Sequence, residues 1–266
     1  MTRWLITAAV TASLALTAQL VAVAAGNPYP MGSSGYDVSY PQCSGNMTPG
    51  GSFGVIGVTG GRPFTLNGCR STEYAEAPDG TATGTVGPSL YFNTGYSGAY
   101  QRDVTPSCAS LAQATVRVGR SGQSGHSSQT KLGSTQEAFA IGCSEAAYAV
   151  SNAPGPELMW WLDVETGNSW SSANLLLNQN VIQGAVSYLS SGHLVGVYST
   201  ATMWKQITGS TAYSPNGISG VWLASSTTSA TGAASMCSDG FAGAASYLVQ
   251  YARTSGGTSY DADYAC

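Results

Sequence analysis

Charged residues are scarce in this chain. Only 8% of its 266 residues are Asp, Glu, Lys or Arg, against about 25% in an ordinary soluble protein. With nine basic residues and a formal net charge of −4, the chain lacks the Lys/Arg surface that neutralises phosphates, so we expect no nucleic-acid partner. Hydroxyls and amides must supply most of its solubility.

Histidine is also scarce, since His126 and His193 are the two in the chain. This leaves little room for a multi-histidine zinc centre and limits any Ser-His-Asp triad to two candidates, both expected at the surface. The G-x-S-x-G pattern around Ser52 precedes a predicted strand, whereas a nucleophile elbow joins a strand to a helix. We expect no metal and no cofactor, which leaves carboxylates as the candidates for chemistry.

Long apolar runs are absent beyond residues 1–25, which combine Arg3, an apolar run and small residues ending at Ala25. This layout predicts a secretory signal peptide. Residues 26–34 then form a short leader, and 35–266 are predicted to form one domain. Because no later run approaches the ~20 apolar residues that cross a bilayer, we expect a secreted monomer that is free of the membrane. Asn46-Met47-Thr48 matches a glycosylation acceptor.

An even number of cysteines in an exported chain predicts disulfides. Six cysteines allow 15 pairings, and we favour pairing between neighbours in sequence order, which joins Cys237 to Cys266. The six are Cys43, Cys69, Cys108, Cys143, Cys237 and Cys266.

Strand-like and helix-like segments alternate along the chain. Apolar and β-branched runs bounded by turn residues predict eight strands, at residues 35–40, 53–61, 89–95, 158–165, 194–199, 221–225, 247–252 and 259–265. Helices are predicted at residues 134–153, 171–192 and 200–208. This alternation predicts an α/β fold, with parallel strands closed into a single TIM-like barrel and few helices near the C-terminus.

The scarce acids coincide with predicted strands. Asp163 and Glu165 close the fourth strand, and Asp37 and Asp261 lie on the first and last, which become neighbours in a closed barrel. Side chains alternate along a strand, so Asp163 and Glu165 share a face and point to the barrel mouth, where active sites of such barrels form. Crowded carboxyls keep a proton near neutrality, as glycoside cleavage requires. The alternatives are solvated side chains and a calcium site, although no loop has calcium-binding spacing.

Sugar-directed chemistry also uses flat apolar faces and neutral hydrogen-bonding groups. Aromatic side chains near predicted strand ends either stack on a sugar ring or pack in the barrel wall. The aromatic candidates are Tyr91, Tyr198, Trp222 and Tyr251, and the neutral polar candidates are Asn93, Gln250 and Gln42.

Several segments resemble the glycoside hydrolase family 25 lysozymes. GYDVSYPQ is similar to their first strand and WWLDVE to their fourth, and VGVYS, VWLAS, VQYA and YDADY follow in the order of their last four strands. The resemblance spans about residues 35–264. It implies a (β/α)5β3 barrel and cleavage of the β-1,4 bond between N-acetylmuramic acid and N-acetylglucosamine in peptidoglycan.

The resemblance also implies roles for the acids. Glu165 would be the general acid, Asp163 would orient the substrate acetamido group or stabilise an oxocarbenium ion, and Asp37 and Asp261 would support them. Asp261 is preferred to Asp263 because D-A-D then matches the family's D-x-N.

The sequence departs from the family at two segments. VTGG (58–61) stands where these lysozymes have a T-E-G-like segment, and YFNT (91–94) stands where they have a Tyr-His pair. The second hypothesis is therefore a catalytically inactive carbohydrate- or cell-wall-binding barrel. A retaining, an inverting and a substrate-assisted mechanism all remain open.

Overall fold

The computed structural model describes residues 26–43, 50–78, 87–118, 133–255 and 258–266. The predicted signal peptide, the acceptor at Asn46 and His126 lie outside these ranges. Eight strands form a closed barrel in which each strand pairs with its neighbours in sequence order. None of the helices in the described ranges combines the length and the apolar character needed to cross a membrane.

Each of the eight strands overlaps a predicted one. The strands are β1 (Ser34–Val38), β2 (Gly54–Gly57), β3 (Ser89–Asn93), β4 (Trp160–Asp163), β5 (Val195–Ser199), β6 (Gly220–Ala224), β7 (Ser246–Ser255) and β8 (Thr258–Ala265).

Helices occupy most of the connections between strands. They are α1 (Arg70–Glu76), α2 (Pro106–Val118), α3 (Ser134–Ser151), α4 (Leu175–Leu189), α5 (Ala201–Thr208) and α6 (Ala230–Ser235), with 3-10 turns at Tyr40–Gln42 and Gly98–Asp103. The three predicted helices correspond to α3, α4 and α5. The sequence analysis missed α1, α2 and α6, and the seven-residue α1 and six-residue α6 are too short to display a helical period.

Strands β1 to β7 are parallel, but β8 runs antiparallel to both β7 and β1. The prediction of parallel pairing is therefore wrong for the last strand. Two residues separate β7 from β8, and a parallel connection needs a crossover of a dozen or more residues. The pair Gly256-Gly257 between two strand-like segments was the hairpin signal in the sequence.

Aromatic side chains fill the lower part of the barrel interior. Tyr29, from the predicted leader, is buried with Phe53, Trp161 and Trp222. The Trp161 Nε1 donates a hydrogen bond to the Tyr29 hydroxyl at 3.0 Å, and that hydroxyl also bonds to Ser89 at the start of β3. This packing closes the end of the barrel where the parallel strands begin, so the interior can open at the other end.

Glycines on neighbouring strands make room for these rings. Gly196 on β5 pairs with Trp161, and a Cβ at this glycine would lie 2.3 Å from the indole ring. Gly57 on β2 pairs with Tyr91, and a Cβ there would lie 2.8 Å from the phenol ring. Small residues therefore lie beside large ones on adjacent strands, which leaves room for bulky rings inside a narrow barrel.

Three disulfides tie the connecting segments together. They are Cys43–Cys69, Cys108–Cys143 and Cys237–Cys266. Each joins neighbours in sequence order, which is the pairing favoured from the sequence. The last one secures Cys266 to the segment that follows α6.

Candidate active site

A cavity of about 200 Å³ lies at the end of the barrel where the parallel strands finish. Among the described residues, its lining contains four carboxylates and several aromatic rings but no Lys, Arg or His side chain. The lining residues are Asp37, Ser39, Pro41, Gln42, Tyr91, Asp163, Glu165, Tyr198, Trp222, Gln250 and Asp261.

The alternation of side chains along β4 places its acids in this cavity. Trp160 and Leu162 pack into the outer core against the helices, whereas Trp161 lies in the barrel interior. Asp163 therefore faces inward, and Glu165, two residues further, continues the same face beyond the strand. The Trp170 Nε1 donates a hydrogen bond to the Glu165 carbonyl at 2.8 Å and holds the backbone at this point.

Asp163 is the most enclosed acid in the cavity lining, with 6% of its surface exposed. Its Oδ2 accepts a hydrogen bond from the Asn93 amide. The Thr59 hydroxyl orients Asn93, because it donates to Asn93 Oδ1 at 2.8 Å and accepts from the Asn93 N–H at 2.9 Å. The buried Oδ1 of Asp163 has no hydrogen-bond partner among the described residues. Burial, and then the charge of Glu165, raise the pKa of Asp163 well above its ordinary value.

Glu165 is half-buried at the mouth of the cavity. Burial raises its pKa, and the negative charge of Asp261 raises it further. A carboxyl in this position can keep a proton at a pH where an exposed glutamate has lost it.

Asp37 belongs to a short hydrogen-bonded chain on the opposite wall. The Tyr198 hydroxyl donates to Gln250 Oε1 at 2.7 Å, and Gln250 Nε2 donates to Asp37 Oδ2 at 2.9 Å. Burial, together with the charges of Asp261 and Glu165, raises the pKa of Asp37 to about 8, although the Gln250 hydrogen bond opposes this shift. The cavity therefore retains protons near neutral pH.

The two candidate acids of the last strand occupy different depths. Both side chains lie on the same face of β8, but Asp261 is exposed at the cavity rim and Asp263 is fully buried. The Asp263 Oδ1 accepts a hydrogen bond from Trp222 Nε1 at 2.7 Å. Because β8 is antiparallel, its earlier residue is the one nearer the cavity.

The predicted binding residues fall into two groups. Tyr91, Tyr198, Trp222, Gln250 and Gln42 line the cavity, and Asn93 lies just below it through its bond to Asp163. Tyr251 is buried in the outer core instead. Its neighbour Gln250 faces inward, so strand alternation turns Tyr251 outward, and the prediction that Tyr251 contacts substrate does not fit this placement.

The sequence analysis missed Ser39 and Pro41, which also line the cavity. They belong to the turn that follows β1, and their types carry no catalytic signal. His193 lies elsewhere, two residues before β5, where its Nδ1 is 2.5 Å from Glu157 Oε1. A histidine there cannot act on a ligand in the cavity.

The cavity acids are not arranged as a compact cation site. A metal ion needs several ligand atoms close together. In the described ranges, three such side chains have ligand atoms within 4.8 Å of one another: Cys43, Cys69 and Glu73. Those two cysteines form a disulfide, and the cavity carboxylates do not form a second such group. The geometry therefore gives no support to the calcium alternative.

Comparison with known proteins finds little close similarity. No protein-family model matches the chain, and no curated protein matches it. Two solved structures of the modular autolysin LytC from Streptococcus pneumoniae are similar in fold. One has 10% identity and a TM-score of 0.46, and the other, in complex with a synthetic peptidoglycan ligand, has 9% and 0.45.

Each of these similarities covers 87% of this chain and 46% of the autolysin chain. The chain therefore spans about half the length of the proteins it matches. With both TM-scores below 0.5, the likeness assigns neither a family nor a function to this chain.

Proposed function

We propose that this protein is a secreted, monomeric glycoside hydrolase that cleaves β-1,4 bonds of peptidoglycan as an N-acetylmuramidase. The observation that carries the proposal is the position of Asp163 and Glu165 on one inward face of the cavity at the barrel mouth, where the described lining residues include no basic side chain. The proposal includes a signal peptide at residues 1–25, a leader at 26–34 and a catalytic domain at 35–266.

The barrel type and the location of the protein belong to the same proposal. The separation of β7 from β8 by two residues and the short α6 support a (β/α)5β3 barrel. Three disulfides support an extracellular location, because they persist in oxidising compartments.

In the proposed reaction Glu165 is the general acid. Its carboxyl gives a proton to the glycosidic oxygen as the bond from that oxygen to the anomeric carbon breaks. The positive charge that develops on the sugar lies near the carboxyls of Asp163, Asp37 and Asp261, of which Asp261 is the most exposed. A water molecule then supplies the hydroxyl of the new sugar end, and its proton returns to Glu165.

The cavity wall supports a sugar substrate. The Tyr198 and Trp222 rings pack with their centroids 4.4 Å apart, and the Tyr91 ring meets Trp222 edge-on at 6.1 Å. Together they give an apolar surface next to the polar ends of Gln42 and Gln250. Apolar faces beside a few neutral hydrogen-bonding groups suit a pyranose ring.

Release of labelled sugar from purified cell walls tests the proposal. We expect the native chain to release soluble fragments, and Glu165→Gln to lose about 100-fold or more of this activity, the scale of general acid catalysis. Glu76→Gln is the matched control, because it changes an exposed glutamate on α1 in the same way. It should keep the native rate.

The inactive wall-binding barrel makes a different prediction. In that case the native chain and Glu165→Gln bind walls equally and neither releases sugar. Full activity in Glu165→Gln would also contradict the proposed role of this residue.

A further inference from the structure

The 3-10 turn Tyr40–Gln42 carries an aromatic ring to the rim of the cavity. Tyr40 is 49% exposed, while its neighbours Ser39, Pro41 and Gln42 line the cavity. The other large hydrophobic side chains exposed in the described ranges are Met31, Leu66, Leu111 and Leu176. Tyr40 is therefore an exposed aromatic side chain beside the candidate active site.

The Tyr40 ring rests against the backbone of Gly61. A Cβ at this glycine would lie 2.8 to 3.0 Å from Cε1, Oη and Cζ of the tyrosine, so a larger residue would displace the ring. Gly61 also has a φ of +82°, which glycine adopts without strain. Contact with Gly61 fixes the phenol end of Tyr40 and leaves about half of the side chain open to solvent.

The turn that carries Tyr40 is held at both ends. The Ser39 N–H donates to Gln42 Oε1 at 2.9 Å, and the Gln42 N–H donates to the Ser39 carbonyl at 2.9 Å. Pro41 restricts the backbone between them, and Cys43, the next residue, is joined to Cys69. The ring is thus pre-organised, and a ligand that packs on it loses little affinity to ordering the protein.

The geometry points to Tyr40 as the stacking platform for a pyranose ring of a β-1,4-linked glycan, one that lies beside the sugars at the carboxylates. This inference rests on the proposed function and extends its binding cleft to the β1–β2 side. A flat aromatic face open to solvent at a cleft edge is an apolar surface against which the C–H face of a sugar ring can pack. The platform is continuous with the cavity through Pro41 and Gln42, so the glycan of the proposed function is the ligand that would extend from the carboxylates to Tyr40.

The test measures binding in the absence of turnover. In the Glu165→Gln background, soluble β-1,4-linked N-acetylglucosamine oligosaccharides are titrated calorimetrically into the protein with and without a change at Tyr40. We expect Tyr40→Ala to weaken binding by about tenfold and Tyr40→Phe, which keeps the ring, to stay within about twofold. Met31→Ala is the control, because Met31 is exposed at the closed end of the barrel.

A second variant reports on the support of the ring. Gly61→Ala displaces Tyr40 without changing its chemistry and also places alanine at a φ of +82°. We expect it to weaken oligosaccharide binding as well. Thermal unfolding of each variant verifies that the fold is intact.

The outcomes separate this inference from the proposed function. Equal affinity of Tyr40→Ala and its parent overturns the platform. Wall fragments that carry stem peptides are titrated in parallel. If Tyr40→Ala weakens binding to these fragments but not to the peptide-free oligosaccharides, the assignment of the ligand to a pyranose is overturned. Tyr40-dependent binding together with a native chain that releases no sugar from walls supports the platform and overturns the hydrolase. Failure of the parent to bind the oligosaccharides overturns the platform alone, because sugar release from walls tests the hydrolase separately.

Discussion

At the scale of single residues, the cleft acids differ chiefly in how deeply they are buried. Asp163 is enclosed and bonded to Asn93, Glu165 is half-buried, and Asp261 is exposed. Burial and like charge both favour the protonated form of a carboxyl. A row of acids with graded burial therefore separates their proton affinities, which is how one carboxyl serves as an acid beside an ionised neighbour.

The charge of Asp261 sets part of the pH dependence of Glu165. It raises the pKa of Glu165, so Asp261→Asn lowers that pKa. The protonated acid is then lost at a lower pH, and we expect the alkaline limb of the kcat/KM profile on cell walls to move toward acid. Measuring kcat/KM across a range of pH gives the position of the alkaline limb independently of the maximum value of kcat/KM.

An exposed aspartate outside the cleft provides the control. Asp239→Asn removes one negative charge after α6. The alkaline limb of its kcat/KM profile should lie at the same pH as that of the native chain. A limb that stays in place in Asp261→Asn would show that Asp261 does not act on the catalytic proton.

Sequence reasoning reached some of these residues and missed others for identifiable reasons. Strand alternation alone put Asp163 and Glu165 on one face. The same rule could have rejected Tyr251, because it is adjacent to Gln250 and the two cannot both face inward. Tyr40 gave no signal, since its setting depends on Gly61, which is distant in sequence.

At the scale of elements, apolar runs located the strands well. The long helices α3 and α4 were also found from their pattern, but α1 and α6 contain fewer than eight residues. The prediction of the direction of β8 was wrong because the rule that strands alternating with helices pair in parallel was applied to β7 and β8, which form a hairpin. That direction decides which of Asp261 and Asp263 reaches the cavity.

The pairing of β4 with β5 depends on the absence of a side chain at Gly196. A methyl group there would meet the Trp161 ring at 2.3 Å and the Gly220 carbonyl at 2.7 Å. Trp161 has no free space to enter, because Tyr29 and Trp222 pack around it. We expect Gly196→Ala to lower the free energy of unfolding by roughly 1–3 kcal/mol, as measured by denaturant unfolding.

Gly192→Ala is the matched control for this substitution. A Cβ at Gly192 has no heavy atom within 4 Å, and its φ is not in the left-handed region. Its unfolding midpoint should be close to the native one. A Gly196→Ala midpoint equal to that of Gly192→Ala would mean that the barrel wall can relax around a methyl group.

At the scale of the whole molecule, buried acids make stability depend on pH. Glu145 is 2% exposed within α3, and the Gly95 N–H, 3.3 Å from Oε1, is the donor nearest its carboxyl. Burial raises the pKa of Glu145 well above its ordinary value, as it does for Asp163 and Asp263. The groups that lower these pKa values are neutral hydrogen-bond donors: the Gly95 N–H for Glu145, the Asn93 amide for Asp163 and the Trp222 indole for Asp263.

The sign of the effect follows from proton binding. A carboxyl whose pKa is higher in the folded state holds its proton better when folded, so its contribution is fully present below the unfolded pKa, near 4. That contribution is lost as the pH rises toward the folded pKa. We expect Tm to fall between pH 4 and pH 8, and Glu145→Gln to raise Tm at pH 8 while changing it little at pH 4.

Thermal unfolding at both pH values checks this prediction. The exposed substitution Glu76→Gln should leave the difference in Tm between the two pH values unchanged. If Glu145→Gln is no more stable than the native chain at pH 8, then the buried carboxylate has a stabilising partner when it is ionised.

The sequence by itself determined the positions of the eight strands, the order of the disulfides and the shared face of Asp163 and Glu165. These are local properties, set by hydrophobic runs, cysteine order and the two-residue period of a strand. The reversal of β8 had a local signal in Gly256-Gly257, which the sequence analysis did not use. Only the tertiary structure decided that Asp261 rather than Asp263 lines the cavity and that Tyr40 lies on Gly61. Those two outcomes depend on strand register and barrel closure, which bring together residues far apart in the chain and have no signature in any one segment.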